Sequence, residues 1–180
     1  AISACEKCGQ WQQAQSLLDE TRLQSLSPST ISFSTVISAC EKGGQWHRVQ
    51  SLLEGLRREG QLPDVIIFNA AIAACEKGGQ WQQAHSLLKE MHGEELSPDV
   101  ISYNSAISAC EKGGQGQLAQ LLLDEMRGEG LLPDITSFSA AIAACEKGGQ
   151  WQRAQSLLDE MRGEGLLPSA ISFSTAISAC

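Results

Sequence analysis

The sequence predicts an all-α fold, an α-solenoid (superhelix) of stacked antiparallel helix–turn–helix repeats, and three observations predict it. First, one register of 35 residues runs unbroken through the chain: Cys5, Cys40, Cys75, Cys110, Cys145 and Cys180 keep it, as do Glu6, Glu41, Glu76, Glu111 and Glu146, each of which opens an EKGGQ segment or a near copy. Second, apolar residues recur at helical spacing twice per unit, with glycines between the two runs. Third, two short amphipathic helices cannot bury their apolar faces alone, so each unit must pack on its neighbours.

Dividing the chain after its Pro-Asp pairs gives one solenoid over 1–180 with whole repeats at 30–64, 65–99, 100–134 and 135–169. Residues 1–29 form a repeat without its first six residues, and 170–180 open another. Solenoids need polar capping units at their ends. Neither end supplies one, so the sequence reads as a fragment of a longer protein.

In the repeat 100–134 the first helix is expected from about Ile101 to Lys112, after Pro98-Asp99, where a carboxylate suits a helix N-terminus. Tyr103, Ala106, Ile107 and Cys110 make its apolar face at i, i+3, i+4, i+7 spacing. Gly113-Gly114 break it. The second helix carries Leu118, Leu122, Leu123 and Met126 and ends at Gly128, Gly130 and Pro133. In the repeat 135–169 the buried stripe of that helix is expected to be Trp151, Ala154, Leu157, Leu158 and Met161, with Gln152, Arg153, Gln155, Asp159 and Glu160 facing water.

A net charge of −8 and a pI near 4.8 argue against indiscriminate binding to nucleic acid or anionic membranes. The longest apolar stretch, 65–75, contains Asn69 and is too short to span a bilayer, so no membrane partner is expected. Equivalent cysteines in stacked helices should lie roughly 9–10 Å apart, whereas disulfides need Cα atoms within about 7 Å. Small buried thiols in a reducing compartment are the expectation.

At about 100° per residue, Ile101, Asn104, Ser108 and Lys112 lie opposite the core stripe of the first helix, where a solenoid presents its concave wall. A branched apolar side chain recurs at Ile31, Ile66, Ile101 and Ile171, with Thr136 the exception. Lysine recurs at Lys7, Lys42, Lys77, Lys112 and Lys147, and a small polar residue varies between them: Ser34, Asn69, Asn104, Ser139 and Ser174. Constant packers, constant cations and variable hydrogen-bonders suit a polymer with a uniform backbone and varied side groups, such as single-stranded nucleic acid. On spacing alone, the lysine equally suits the dipole of a helix end.

The unit VISYNSAISACEKGGQ…A…LL.EM…G…PD resembles the pentatricopeptide repeat of the uniform 35-residue kind, over the whole chain. The matching features are the aromatic and Asn or Ser opening, the helix-ending Lys-Gly, the second-helix Ala, the Glu-Met pair and the closing Pro-Asp. Tetratricopeptide repeats differ, because their Trp…Leu-Gly…Tyr opening is missing. The resemblance implies single-stranded RNA as partner, read at one base per repeat, N-terminal repeats toward the 5′ end. It also implies a two-residue code pairing Ser34 with Asp64, Asn69 with Asp99, Asn104 with Asp134 and Ser139 with Ser169. Asp only accepts hydrogen bonds and so favours the imino N–H of uracil or guanine. In the family Asn goes with pyrimidines and Ser with purines, giving an expected reading of 5′-G-U-U-purine. Ser169 and Thr136 depart from the family's usual residues, and leave that last base the least defined. The resemblance further implies a chloroplast or mitochondrial location and a role in RNA processing, stabilisation or translation, with no cofactor and no small-molecule substrate.

Other departures concern stability: Glu95 and Ser25 replace a loop glycine, Gly116 replaces the tryptophan, and Gly55-Leu56 replace Glu-Met, none of them on the concave face. Cys5-Glu-Lys-Cys8 has no second pair and no βαβ setting, so it predicts neither metal nor redox chemistry. His47, His85 and His92 fall on second helices, out of register, as surface histidines. Trp11, Trp46, Trp81 and Trp151 are expected to pack rather than to stack on bases. No nucleophile, base and orienting group recur together, so no enzymatic activity is expected. The second reading is a helical scaffold with protein partners, which an acidic chain suits.

Overall fold

A computed structural model of the chain describes residues 10–24, 28–168, 173, 174 and 178. Among these, the first helices of the repeats are α2 (Thr30–Lys42), α4 (Val65–Lys77), α6 (Val100–Gly113) and α8 (Ile135–Lys147). The second helices are α1 (Trp11–Leu23), α3 (Trp46–Arg58), α5 (Trp81–Gly93), α7 (Gly116–Gly128) and α9 (Trp151–Gly163). First helices stack on one another in chain order, and α3, α5 and α7 each rest on their own first helix and on the next one. The expected all-α solenoid is what forms.

Each first helix begins where a side chain supplies an acceptor to its free N–H groups. Asp64, Asp99 and Asp134 cap α4, α6 and α8 by accepting from the backbone of Ile67, Ser102 and Ser137, and Ser29 caps α2 through Ser32. Termination is equally local. At α6 the chain turns through Gly114 at φ 63°, and the N–H of Gln115 reaches back to the carbonyl of Cys110 at 2.9 Å. That closure needs a left-handed residue, which glycine adopts without strain. Second helices close the same way, except that Glu95 takes the left-handed position at φ 58° where Gly60, Gly130 and Gly165 take it elsewhere.

The core repeats with the sequence. Phe33, Phe68, Tyr103 and Phe138 are fully buried, as are Ile37, Ile72, Ile107 and Ile142 beneath them. From the second helices, Ala14, Ala84, Ala119 and Ala154 are fully buried and Val49 is nearly so, with a buried leucine four residues further on in each. Each of the buried phenylalanines, isoleucines and leucines contributes about 1.5–3 kcal/mol by leaving water. Cys40, Cys75, Cys110 and Cys145 are free and buried. Burial pushes the thiols of Cys75 and Cys110 up to about 12 and that of Cys40 to about 11, so they stay protonated and unreactive. Cys5, Cys8 and Cys180 lie outside the described residues.

Two expectations need correction. The tryptophans are not on the buried stripe: Trp11, Trp46 and Trp81 are half-buried and Trp151 is 43% exposed. Trp11, Trp46 and Trp81 instead pack against the core and cover the glycine that ends the next repeat's first helix. A Cβ at Gly78 would stand 2.3 Å from Cδ1 of Trp46, and one at Gly113 equally close to Trp81. Of the histidines, His47 and His92 are exposed as expected and only His85 departs. His47 stacks on Trp46 with ring centroids 3.4 Å apart, whereas His85 is half-buried with Nε2 enclosed and unpartnered. Burial, with Lys89 nearby, lowers the His85 pKa and keeps the ring neutral.

Candidate nucleic-acid interface

On the face of the first helices that turns away from the second-helix layer, the predicted residues come together in register. Ile31, Ile66 and Ile101 are 76%, 68% and 62% exposed, an apolar stripe that the fold leaves uncovered. Thr136 is exposed in the fourth repeat. One turn along lie Ser34, Asn69, Asn104 and Ser139, each half-buried, and at the helix ends Lys42, Lys77, Lys112 and Lys147 are exposed. Ser174 is exposed as well. Lys7, Ser169 and Ile171 lie outside the described residues.

The Asn and Asp positions meet because the Asp caps the next first helix. Asn69 donates through Nδ2 to both carboxylate oxygens of Asp99, at 3.1 and 3.2 Å. Its Oδ1 accepts from the hydroxyl of Ser102 at 2.5 Å, and that hydroxyl also touches Asp99 at 3.0 Å. The next repeat copies this: Asn104 Nδ2 lies 3.5 Å from Asp134, and Ser137 Oγ donates to Asn104 Oδ1 at 2.5 Å. Partial burial acts to raise the Asp99 carboxyl, but hydrogen bonds from Ser102, Asn69 and the Ile101 backbone outweigh it, and the group titrates below the usual aspartate range. Asp134 is depressed in the same way, through Ser137, Thr136 and Asn104. Both carboxylates are therefore ionised acceptors with fixed direction. Ser34 and Ser139 occupy the matching positions in the outer repeats.

Sequence reasoning missed Ser102 and Ser137, which lock the Asn amide. The signal was there: serine at the third helical position after an Asp cap is a capping-box pattern, and both α6 and α8 form one. The lysines also have occupants. Lys77 pairs with Glu41 at 2.8 Å, Lys147 with Glu111 at 2.8 Å and Lys112 with Glu76 at 3.9 Å, each reaching back one repeat. Glu76 additionally accepts from Ser108 at 3.1 Å. The face is thus close to neutral along this line, since each of these cations sits beside a carboxylate.

Fold and face together define a helical-repeat protein in which, in two of the described repeats, an Asn of one first helix meets the Asp that caps the next. The chain belongs to the PPR repeat family, whose profiles match residues 63–112 and 98–147 as the repeat family and 31–61 and 136–166 as the single PPR repeat. Among solved structures it is similar to the pentatricopeptide repeat protein PPR10 from maize, at 27% identity and TM-score 0.80 over 99% of this chain and 26% of that one. It is also similar in fold to the PPR domain of Arabidopsis thaliana protein-only RNase P 1 in complex with tRNA, at 15% identity and TM-score 0.82, covering 99% of this chain and 94% of that one. A third likeness, again of fold alone, is to nuclear proteinaceous RNase P 2 from A. thaliana, at 15% identity and TM-score 0.85, covering 99% of this chain and 40% of that one. The chain therefore spans about a quarter of the maize structure. No curated protein sequence matches it.

Proposed function

We propose that this chain binds single-stranded RNA along its first-helix face, one base per repeat, and acts by occupying its site. The observation that carries this reading is the direct contact of Asn69 with Asp99, 30 residues apart in sequence, between the exposed Ile66 and Ile101. An apolar side chain packs on a base face, while an amide and an ionised carboxylate held together meet the base edge. The pairs Ser34 with Asp64, Asn69 with Asp99, Asn104 with Asp134 and Ser139 with Ser169 read 5′-G-U-U-purine. The maize relative is also known in complex with an 18-nucleotide RNA element, in a structure matching this chain at 23% identity and TM-score 0.63.

In this reading Lys42, Lys77, Lys112 and Lys147 meet phosphates, and at least three of them first exchange a carboxylate partner. The exchange weakens the net attraction, so affinity comes chiefly from the packing of bases on the isoleucines and from the hydrogen bonds to their edges. The Lys–Glu pairing and the charge of −8 are also what a protein-binding scaffold would show, which makes it the second reading. An organellar role in RNA processing, stabilisation or translation rests on the family resemblance alone, since one similar structure is described as nuclear. Among the described residues no helix is long and apolar enough to cross a membrane, and no group of three His, Cys, Asp or Glu is placed to hold a metal.

The test is competition binding of short RNAs containing GUU or GGU. The wild type should prefer GUU, and Asn69→Ser should move the second base from U toward G by about tenfold, equivalent to about 1.4 kcal/mol. An unchanged preference sinks the code; absence of RNA binding at low salt sinks the reading altogether.

A further inference from the structure

The second helices carry their own repeating cation. Arg22, Arg57, His92, Arg127 and Arg162 are spaced by 35 residues, so the histidine stands where the other repeats have arginine. Two of those arginines show what the position does. Arg57 forms ion pairs with Glu90 and Glu94 of the next second helix. Arg127 does the same with Glu160 at 3.3 Å and Glu164 at 2.7 Å, and its guanidinium carbon lies 5.5 Å from the Phe138 ring centroid. Arg22 and Arg162 lie over Phe33 and Phe173 at 5.4 and 5.0 Å. The recurring site is an aromatic face below and carboxylates beside, filled by a planar cation.

Between α5 and α7 the two carboxylates of the next repeat persist and the guanidinium does not, while Lys89 stands in the register of Asp19, Glu54, Asp124 and Asp159. Glu125 and Glu129 occupy the register of Glu90 and Glu94 and of Glu160 and Glu164. His92 is too short to bridge them: its Nδ1 lies 3.0 Å from the Leu88 carbonyl on its own helix, and Nε2 stops 3.4 Å from Glu129. What remains is a cavity of about 480 Å3 lined by Lys89, His92, Tyr103, Glu125, Gly128 and Glu129. Its aromatic floor is the chain's single tyrosine, fully buried, and the Tyr103 hydroxyl has no hydrogen-bond partner. Burial, reinforced by Glu125 and Glu129, pushes that phenol up to about 12, so it stays protonated with an oxygen able to accept.

We propose that this vacated slot over Tyr103 binds a guanidinium group, brought by an arginine side chain from outside the chain. The donor set fits that group. Glu125 and Glu129 accept its N–H donors and, with Lys89 opposing, offset its charge, and the Tyr103 oxygen at the floor offers a further acceptor. A lysine ammonium matches less well, being a compact point charge without a planar face. The slot lies on the second-helix side, so its occupancy leaves the Asn69–Asp99 face free.

Tyr103 supplies its own reporter, because tyrosine-labelled protein gives one set of ring resonances. The 180-residue chain is titrated with N-acetyl-arginine methylamide, with its lysine counterpart, and with a short peptide holding one internal arginine. The expected result is a saturable shift of the Tyr103 signals with both arginine probes and a response at least tenfold weaker with lysine. Glu129→Gln should weaken arginine binding by roughly tenfold or more. His92→Arg should abolish it by filling the slot from within, and should raise Tm. A peptide that binds more tightly than the free analogue assigns the source to a protein segment, and equal binding assigns it to free arginine. Tyr103 signals that stay put with arginine, or that move alike in wild type and His92→Arg, overturn the proposal.

Discussion

Two neighbouring junctions in this solenoid solve the same packing problem differently. Between repeats 65–99 and 100–134, Trp81 leans across to cover Gly113, whose missing Cβ leaves room for the indole. Between 100–134 and 135–169 the tryptophan is Gly116, and there the backbones themselves close the gap. A Cβ on Gly116 would stand 2.6 Å from Cys145 Sγ and 2.8 Å from its Cα, and one on Gly148 would stand 2.5 Å from the Gly114 carbonyl oxygen. The glycine that reads in sequence as a lost tryptophan is thus a close-approach position. It lies away from the face that carries Asn104 and Ser139, and its missing side chain lets α7 close onto α8.

The sharpest way to break the comparison is to repair it. Gly116→Trp restores the family's residue but must push Cys145 and its helix aside, and overpacking of a closed junction costs about 1–3 kcal/mol or more. Urea denaturation should show it as a loss near the top of that range; a gain in stability would mean the junction opens freely to the wider spacing. Gly113→Ala attacks the other junction, where the obstruction is a half-buried indole able to yield. Its expected cost is about 1–2 kcal/mol by the same measurement, with Trp81 fluorescence moving as the ring shifts.

Glu95→Gly acts within the first junction's repeat and should stabilise by about 1 kcal/mol, because a left-handed non-glycine residue costs about 1–2 kcal/mol and glycine returns part of that as chain entropy. A rise in Tm would be the readout. The smallest effect belongs to Asp99→Asn. Asparagine caps helices nearly as well as aspartate, so what goes is the ionised carboxylate. Its pKa is depressed in the folded chain, so its contribution is fully present above the unfolded value of about 3.9 and fades as pH falls through the folded one. The wild-type advantage, under about 1 kcal/mol, should therefore be seen at pH 6–7 and fade in acid titration as pH falls below about 4. An advantage that persists there would place the effect in packing rather than charge.

Much of this protein was legible in its residues. The 35-residue register, the Asp caps, the glycine stops and the Phe–Ile–Cys stripe are local rules of helix periodicity and termination, and local rules survive into the fold unchanged. The outward face was legible for the same reason: Ile66, Asn69 and Lys77 share one side of one helix wherever that helix packs. Partners across repeats were not legible, because side chains 30 to 37 residues apart meet only once stacking distance and rotation are set. Tertiary structure alone decided that Lys77 would hold Glu41, that Ser102 would lock Asn69, and that Trp46 would cover Gly78. It also decided that a cavity lined by His92 and Tyr103 stands where other repeats place an arginine, because the spacing of α5 and α7 is set by residues far apart in sequence.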